Sequence, residues 1–258
     1  MAMPALPGFT SGPGLRTLGQ ALLGLVMPCC CALCGARADA ALCGACRCQC
    51  FGAAPARCRQ CANPLPPVDD NAAVPERCGR CLADAPAFDA TLAAGDYALP
   101  VDLLVLQLKF GARLALAGLF AELLRDAVLA RPDFVLPQLL CPVPLGPQRL
   151  AERGFNQALE IARPLARHLG VALHPRLAAR VRETTAQTRT PASERRRNLR
   201  SAFVVEPAAR VHVTGRHVGL VDDVMSSGQT LNELAAAFKR AGAARVSNLV
   251  FARTPPRF

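Results

Sequence analysis

A chain of 258 residues has room for one α/β domain of ordinary size with a small module beside it. It holds no apolar run of the roughly 20 residues that a membrane-spanning helix needs, so no transmembrane segment is expected. The net charge is +11, with only Lys109 and Lys239 as lysines and the other 28 basic residues arginine. Arginine is the better bidentate phosphate ligand, so the excess suits a polyphosphate or a nucleic-acid backbone. The absence of Trp and the single Tyr argue against an aromatic platform for stacking single-stranded bases.

In chain order, residues 15–27 are apolar. No basic residue precedes Arg16, no small-residue cleavage site stands out, and Pro28 before Cys29 disfavours a lipoprotein-type cysteine. Residues 1–28 are therefore expected to be a short helical segment packed on a cytoplasmic protein. The next stretch, 29–85, is the cysteine-rich part: 12 of the 13 cysteines lie in the first 81 residues. Four C-x-x-C pairs stand out: Cys31/Cys34, Cys43/Cys46, Cys58/Cys61 and Cys78/Cys81. Such a pair places two sulfurs on one side of a tight turn, and two pairs complete a tetrahedral zinc site. Four pairs predict two zinc ions, in sequential or interleaved pairing. All-cysteine ligation leaves no open position, so the sites are expected to be structural. A disulfide framework would need an export signal, and a redox pair seldom comes in fours. Cys29, Cys30, Cys48 and Cys50 are spare, and Cys48 or Cys50 replaces Cys46 in a shifted register. Residues 63–75, rich in Pro and Asp, read as a loop.

Composition changes after Phe88, and residues 90–258 form the expected main domain. Strands are predicted over 92–97, 138–143, 171–173, 203–206, 218–221 and 246–251. Helices are predicted over 101–110, 114–130 and 148–169, with Pro164 as a kink, and from Leu231 onward. Alternating strands and helices give a parallel sheet with helices on both faces, whose ligands sit at the carboxyl ends of the strands. His168, His174, His212 and His217 show no catalytic or metal spacing.

The most informative segment runs from His217 to Leu231. Val218 to Val221 are apolar and need cover on both faces. Asp222 and Asp223 stand where that strand is expected to leave the sheet. Ser226, Ser227 and Gly228 make a tight turn, and Leu231, Leu234, Ala235 and Phe238 recur at helical spacing. A helix N-terminus offers free N–H groups and a favourable dipole to an anion. Two carboxylates repel that anion but suit the vicinal hydroxyls of a ribose beside it. The implied ligand is a sugar phosphate with a ribose 5-phosphate end. The plainer alternative is an ordinary Asp/Ser turn with a helix cap.

This segment resembles the phosphoribosyl-pyrophosphate (PRPP) motif of type I phosphoribosyltransferases, with Ser226 and Ser227 where that family usually has two threonines. Further residues extend the likeness: Cys141-Pro-Val-Pro-Leu145, Arg149, Arg153-Gly-Phe-Asn-Gln157-Ala158 and Leu108-Lys109-Phe110. To these add Arg182, Thr184, Gln187, Arg195, Asn198 and Ala202-Phe203. Together they are similar to the ComF/GntX family, which joins a zinc-ribbon module to a type I phosphoribosyltransferase-like domain. The resemblance implies PRPP binding with Mg²⁺ across Asp222, Asp223, Val224, Met225, Ser226, Ser227, Gly228, Gln229 and Thr230. Asp222 and Asp223 would hold the ribose hydroxyls. Lys109, Arg149 and Arg153 are candidates for pyrophosphate. Arg182, Thr184, Gln187, Arg195 and Asn198 belong to a loop expected to close as a lid. In some bacteria the family also implies a role in DNA uptake during natural transformation, with single-stranded DNA or competence-machinery proteins as partners. The rival expectation is a non-catalytic PRPP sensor or scaffold; no acceptor is implied.

Overall fold

In a computed structural model, which describes residues 29–52, 55–66, 75–181 and 202–255, the apolar strands assemble into a five-stranded parallel sheet. The expected segment 1–28 and the expected lid residues Arg182, Thr184, Gln187, Arg195 and Asn198 lie outside the described residues. Two compact units divide the chain, 1–47 and 48–258. The second cysteine tetrad thus falls in the same unit as the sheet, whereas the sequence grouped it with the first.

In the first unit a short antiparallel pair, β1 (Cys29–Cys30) and β2 (Arg37–Ala38), frames the Cys31/Cys34 turn. Cys31 N–H donates to Ala36 O at 2.8 Å, and Gly35 N–H donates back to Cys31 O at 2.9 Å. A helix that the sequence did not predict, α1 (Gly44–Phe51), starts inside the Cys43/Cys46 pair.

The second unit opens with the short helix α2 (Gly79–Ala83) and strand β3 (Ala90–Asp96), then helices α3 (Val101–Lys109) and α4 (Leu116–Leu129). Strand β4 (Leu139–Pro142) leads into helices α5 (Pro147–Arg153) and α6 (Gln157–Leu169) and strand β5 (Ala172–Leu173). After β6 (Ala178–Arg180) and β7 (Phe203–Val205) come a single turn, α7 (Arg210–Val213), and strand β8 (His217–Met225). Helix α8 (Gln229–Arg240) and strand β9 (Arg245–Arg253) close the unit. The sheet order is β3-β9-β8-β4-β5, all parallel, with β8 in the middle.

Both faces of the sheet are covered, as an all-parallel sheet requires. Val218 and Leu220 of β8 pack into one cluster with Leu234 and Phe238 of α8 and Phe203 of β7. Helices α4 and α6 pack on each other and on the sheet, and Phe120 of α4 stacks on Phe251 of β9 at 3.5 Å between centroids. The open edge of β3 is covered by the segment around Cys58 and Cys61. Thr91 N–H donates to Arg59 O at 3.0 Å and Thr91 Oγ1 to Gln60 O at 2.6 Å, while Arg57 pairs with Asp96 at 2.9 Å. An unpaired edge would otherwise template association.

Three local expectations are corrected. Residues 148–169 are two helices, because Gly154 adopts a left-handed φ of 79° and ends α5, and Asn156 then caps α6. Phe203–Val205 is not in the parallel sheet; it pairs antiparallel with β6, which the sequence did not predict. Finally, β8 does not end at Val221. Its pairing with β4 stops there, but its pairing with β9 continues to Met225.

Candidate functional site

That unequal ending of β8 builds the site. Beyond Val221 the strand keeps its β9 neighbour but loses β4, so Asp222 to Met225 are held on one edge and open on the other. Asp223 is 2 % exposed, and its Oδ2 lies 2.7 Å from Lys109 Nζ at the end of α3. Its Oδ1 accepts from Val224 N–H at 2.9 Å, and Asp222 Oδ1 accepts from Asp223 N–H at 2.9 Å. Burial, and then the neighbouring Asp223 charge, push the Asp222 carboxyl well above the usual carboxylate range, against the pull of Lys109. Lys109 thus pairs with Asp223 and acts on Asp222 only through its charge.

After Met225 the chain turns sharply. Ser226 and Ser227 are exposed, Gly228 is buried with a left-handed φ of 79°, and α8 starts at Gln229. A side chain at position 228 would be strained in that conformation. No side chain caps the helix in the usual way; Gln229 N–H reaches Ser227 Oγ at 3.3 Å. The first turn of α8 has backbone N–H groups with no intrahelical partner, as any helix start does, and Ser226, Ser227 and Thr230 are its hydroxyl-bearing neighbours in sequence.

Of the basic candidates, Lys109 is on Asp223. Arg153, at the end of α5, lies 5.5 Å from the Phe110 ring centroid and donates to Gln157 Oε1 at 2.5 Å. Arg153, Phe110, Lys109 and Asp223 thus form a continuous row of neighbours. Arg149 is exposed on the same short helix. Asn156 accepts from Ala158 N–H at 2.9 Å and donates to Val143 O at 3.0 Å, so it anchors the turn between β4 and α6. Strands β6 and β7 flank the stretch that contains the expected lid.

Sequence reasoning missed Arg253. It ends β9, is 3 % exposed, and spreads its guanidinium over backbone carbonyls. Nε donates to Cys61 O at 2.9 Å; Nη1 donates to Met225 O at 2.9 Å, to Thr254 O at 2.7 Å and to Ser226 O. The available signal was an arginine directly after the apolar run Leu249 to Ala252. His217 also carried no assignment; it is buried with Nε2 2.8 Å from Ser247 Oγ, away from the loop at the opposite end of β8.

The cysteines group as two sequential tetrads, Cys31/Cys34/Cys43/Cys46 and Cys58/Cys61/Cys78/Cys81, with the sulfurs of each within 4.8 Å of one another. A tetrahedral ion with Zn–S bonds of about 2.3 Å separates its sulfurs by about 3.8 Å. Cys34 and Cys43 Sγ are 3.8 Å apart, and Cys61 and Cys78 Sγ 3.6 Å, far beyond the roughly 2.05 Å of a disulfide. A hydrogen bond from the Cys61 thiol holds the Cys58 thiol down to about 4 against burial, helped by the backbone around Cys78. The same hydrogen bond, and then burial, push the Cys61 thiol up, and burial pushes the Cys81 thiol up, so it is by number and spacing that both donor sets are compatible with structural zinc.

The phosphoribosyl transferase domain family matches residues 156–257. The DNA utilization protein YhgH of Salmonella typhi is 38 % identical over 176 residues, covering 67 % of this chain and 76 % of that protein. The protein of the same name from Escherichia coli K12 is 37 % identical over the same span. Competence protein F of Haemophilus influenzae is 33 % identical over 165 residues, covering 62 % of this chain and 71 % of that one. Among solved structures, glutamine PRPP amidotransferase from B. subtilis matches with a TM-score of 0.32 at 18 % identity, over 54 % of this chain and 26 % of that chain. The relatives' identity and coverage, together with the paired acids, the loop and the cysteine tetrads, establish that the chain belongs to the ComF/GntX family.

Proposed function

We propose that the protein binds PRPP with Mg²⁺ at residues 222–230. The carrying observation is the order of groups at the end of the middle strand: Asp222 half-buried, Asp223 buried on Lys109, then a hydroxyl-bearing turn and an uncapped helix N-terminus. The 5-phosphate would take the backbone and hydroxyl donors of Ser226, Ser227, Gly228 and Thr230. Asp222 and Asp223 would hold the ribose hydroxyls. Mg²⁺, which favours hard oxygen ligands, would neutralise charge between pyrophosphate and ribose oxygens. Lys109, Arg149 and Arg153 would meet the pyrophosphate. The chain's own contribution to phosphoribosyl transfer is then positioning and charge neutralisation rather than covalent chemistry.

Each cysteine tetrad would hold one zinc ion, which suits a reduced, cytoplasmic setting. The names of two relatives, a DNA utilization protein and a competence protein, support a link of this reading to DNA uptake. Titration calorimetry with Mg²⁺-PRPP tests the site. Wild type should bind, and Asp222→Ala with Asp223→Ala should abolish binding; because Lys109 then loses its buried partner the melting temperature falls, and circular dichroism at the assay temperature checks that the double variant is still folded. Binding retained in the double variant moves the site elsewhere. PRPP-dependent pyrophosphate release against nucleobases and amines then separates an enzyme from a sensor that binds without turnover.

A further inference from the structure

We propose that Arg253 is a positioning residue that ties the second cysteine tetrad to the phosphate-binding loop, so that the loop's geometry depends on that tetrad holding its metal. The proposal rests on the PRPP reading above and extends it to how the loop is held. A guanidinium has five N–H donors in a fixed plane. In Arg253 one side of that fork, Nε, holds the carbonyl of Cys61, a ligand of the second tetrad. The other side, Nη1, holds the carbonyls of Met225 and Ser226, the two residues that begin the turn. A single rigid group therefore spans metal site and loop.

A second contact runs in parallel. Arg80 lies inside the Cys78/Cys81 pair, and its Nη2 donates to Ser227 O at 3.4 Å. A cleft lined by Cys61, Arg80, Cys81, Ser227, Gly228 and Arg253 shows the same adjacency. Two consecutive loop carbonyls, Ser226 and Ser227, are thus held by arginines anchored at the tetrad. With those carbonyls pulled toward the tetrad, the peptide N–H groups that follow are fixed in direction. That is the property an anion site needs before its ligand arrives.

Charge supplies the dependence on metal. Arg253 is almost fully buried and forms no ion pair with a carboxylate among the described residues. A buried cation faced only by carbonyl dipoles is costly. Four thiolates around one Zn²⁺ carry a net charge of about −2, and this is the anionic group beside Arg253. Loss of the metal, with protonation or oxidation of the thiols, removes that counter-charge and frees Cys61 O to move. The brace then loses its anchor, and the loop loses its fixed end.

The test uses full-length Arg253→Met and Arg253→Lys with three readouts on each: zinc per chain, melting temperature, and amide hydrogen exchange without ligand. In Arg253→Met, exchange should accelerate at residues 226–230 while strand residues 217–221 keep their protection and both zinc ions remain. Arg253→Lys, which keeps the charge but not the planar fork, should recover part of the loop protection. Mg²⁺-PRPP affinity should fall by about tenfold or more in Arg253→Met, as expected when charge-assisted hydrogen bonds are lost. Cys81→Ser, with Arg253 intact, should reproduce the loop acceleration. Unchanged loop exchange in Arg253→Met overturns the proposal. So does acceleration spread equally over 217–221, which makes Arg253 a staple of the whole fold. If the wild type binds no PRPP, the functional reading fails while the exchange comparison still decides the brace.

Discussion

Lys109 and Asp223 are the pair on which the site's electrostatics turn. Their side chains are 21 % and 3 % exposed and 2.7 Å apart. Removing one partner of a buried pair leaves an uncompensated charge, at a cost of about 3 kcal/mol or more. Lys109→Met should therefore destabilise the protein by that order in urea unfolding and weaken PRPP binding. Adding Asp223→Asn should restore much of the stability but not the binding, which separates the two roles of the lysine. His217 makes a pH prediction. Burial, and next the Arg245 charge, lower its imidazole from 6.5 to about 4, so the folded protein holds it neutral. The unfolded chain takes up that proton first as pH falls below 6.5. Stability from this group is thus fully present above pH 6.5 and is lost progressively down to about pH 4, by roughly 3 kcal/mol in all. In urea titrations across that range, His217→Gln should lack this increment; an identical pH profile would show that the imidazole titrates normally.

Asn156 shows how a single side chain sets an element. It caps α6 with its Oδ1 and ties the β4 end through its Nδ2. Asn156→Ala should cost about 1 kcal/mol from the lost cap, with more from the freed Val143 carbonyl. Thermal unfolding should show the drop, and Asn156→Asp, which keeps the acceptor, should recover the cap share. The same region marks what could be read in advance. Strands and helices with continuous apolar faces were legible: β3, β4, β8, β9, α3, α4 and α8 lie within a few residues of expectation. Less legible was whatever a backbone conformation decided. A helical pattern across 148–169 is interrupted because Gly154 takes φ 79°, and periodicity carries no signal for that. Likewise β6 has only three residues, too short to show alternation, and although 203–206 reads as a strand, its antiparallel pairing with β6 is long-range. The acids, the hydroxyl turn and the cysteine pairs were legible because spacing alone defines them. Arg253 was not, since its partners are carbonyls that every residue possesses.

At the scale of the whole chain, the second cysteine tetrad and the sheet are joined. The segment around Cys58 and Cys61 covers the β3 edge through Thr91 and the Arg57–Asp96 pair. Elemental analysis should find close to two zinc per chain. Stripping them with a strong chelator should lower the melting temperature and, by baring the edge of β3, raise light scattering from self-association. A chelated protein that keeps both its melting point and its light-scattering baseline would mean that the tetrads contribute nothing to the fold. The central claim, that residues 222–230 form the PRPP site, is tested most directly by a crystal structure of the protein grown with Mg²⁺-PRPP. The 5-phosphate should lie on the amides and hydroxyls of Ser226 to Thr230, with the ribose hydroxyls at Asp222 and Asp223. PRPP bound anywhere else, with that turn left without phosphate, would contradict that claim.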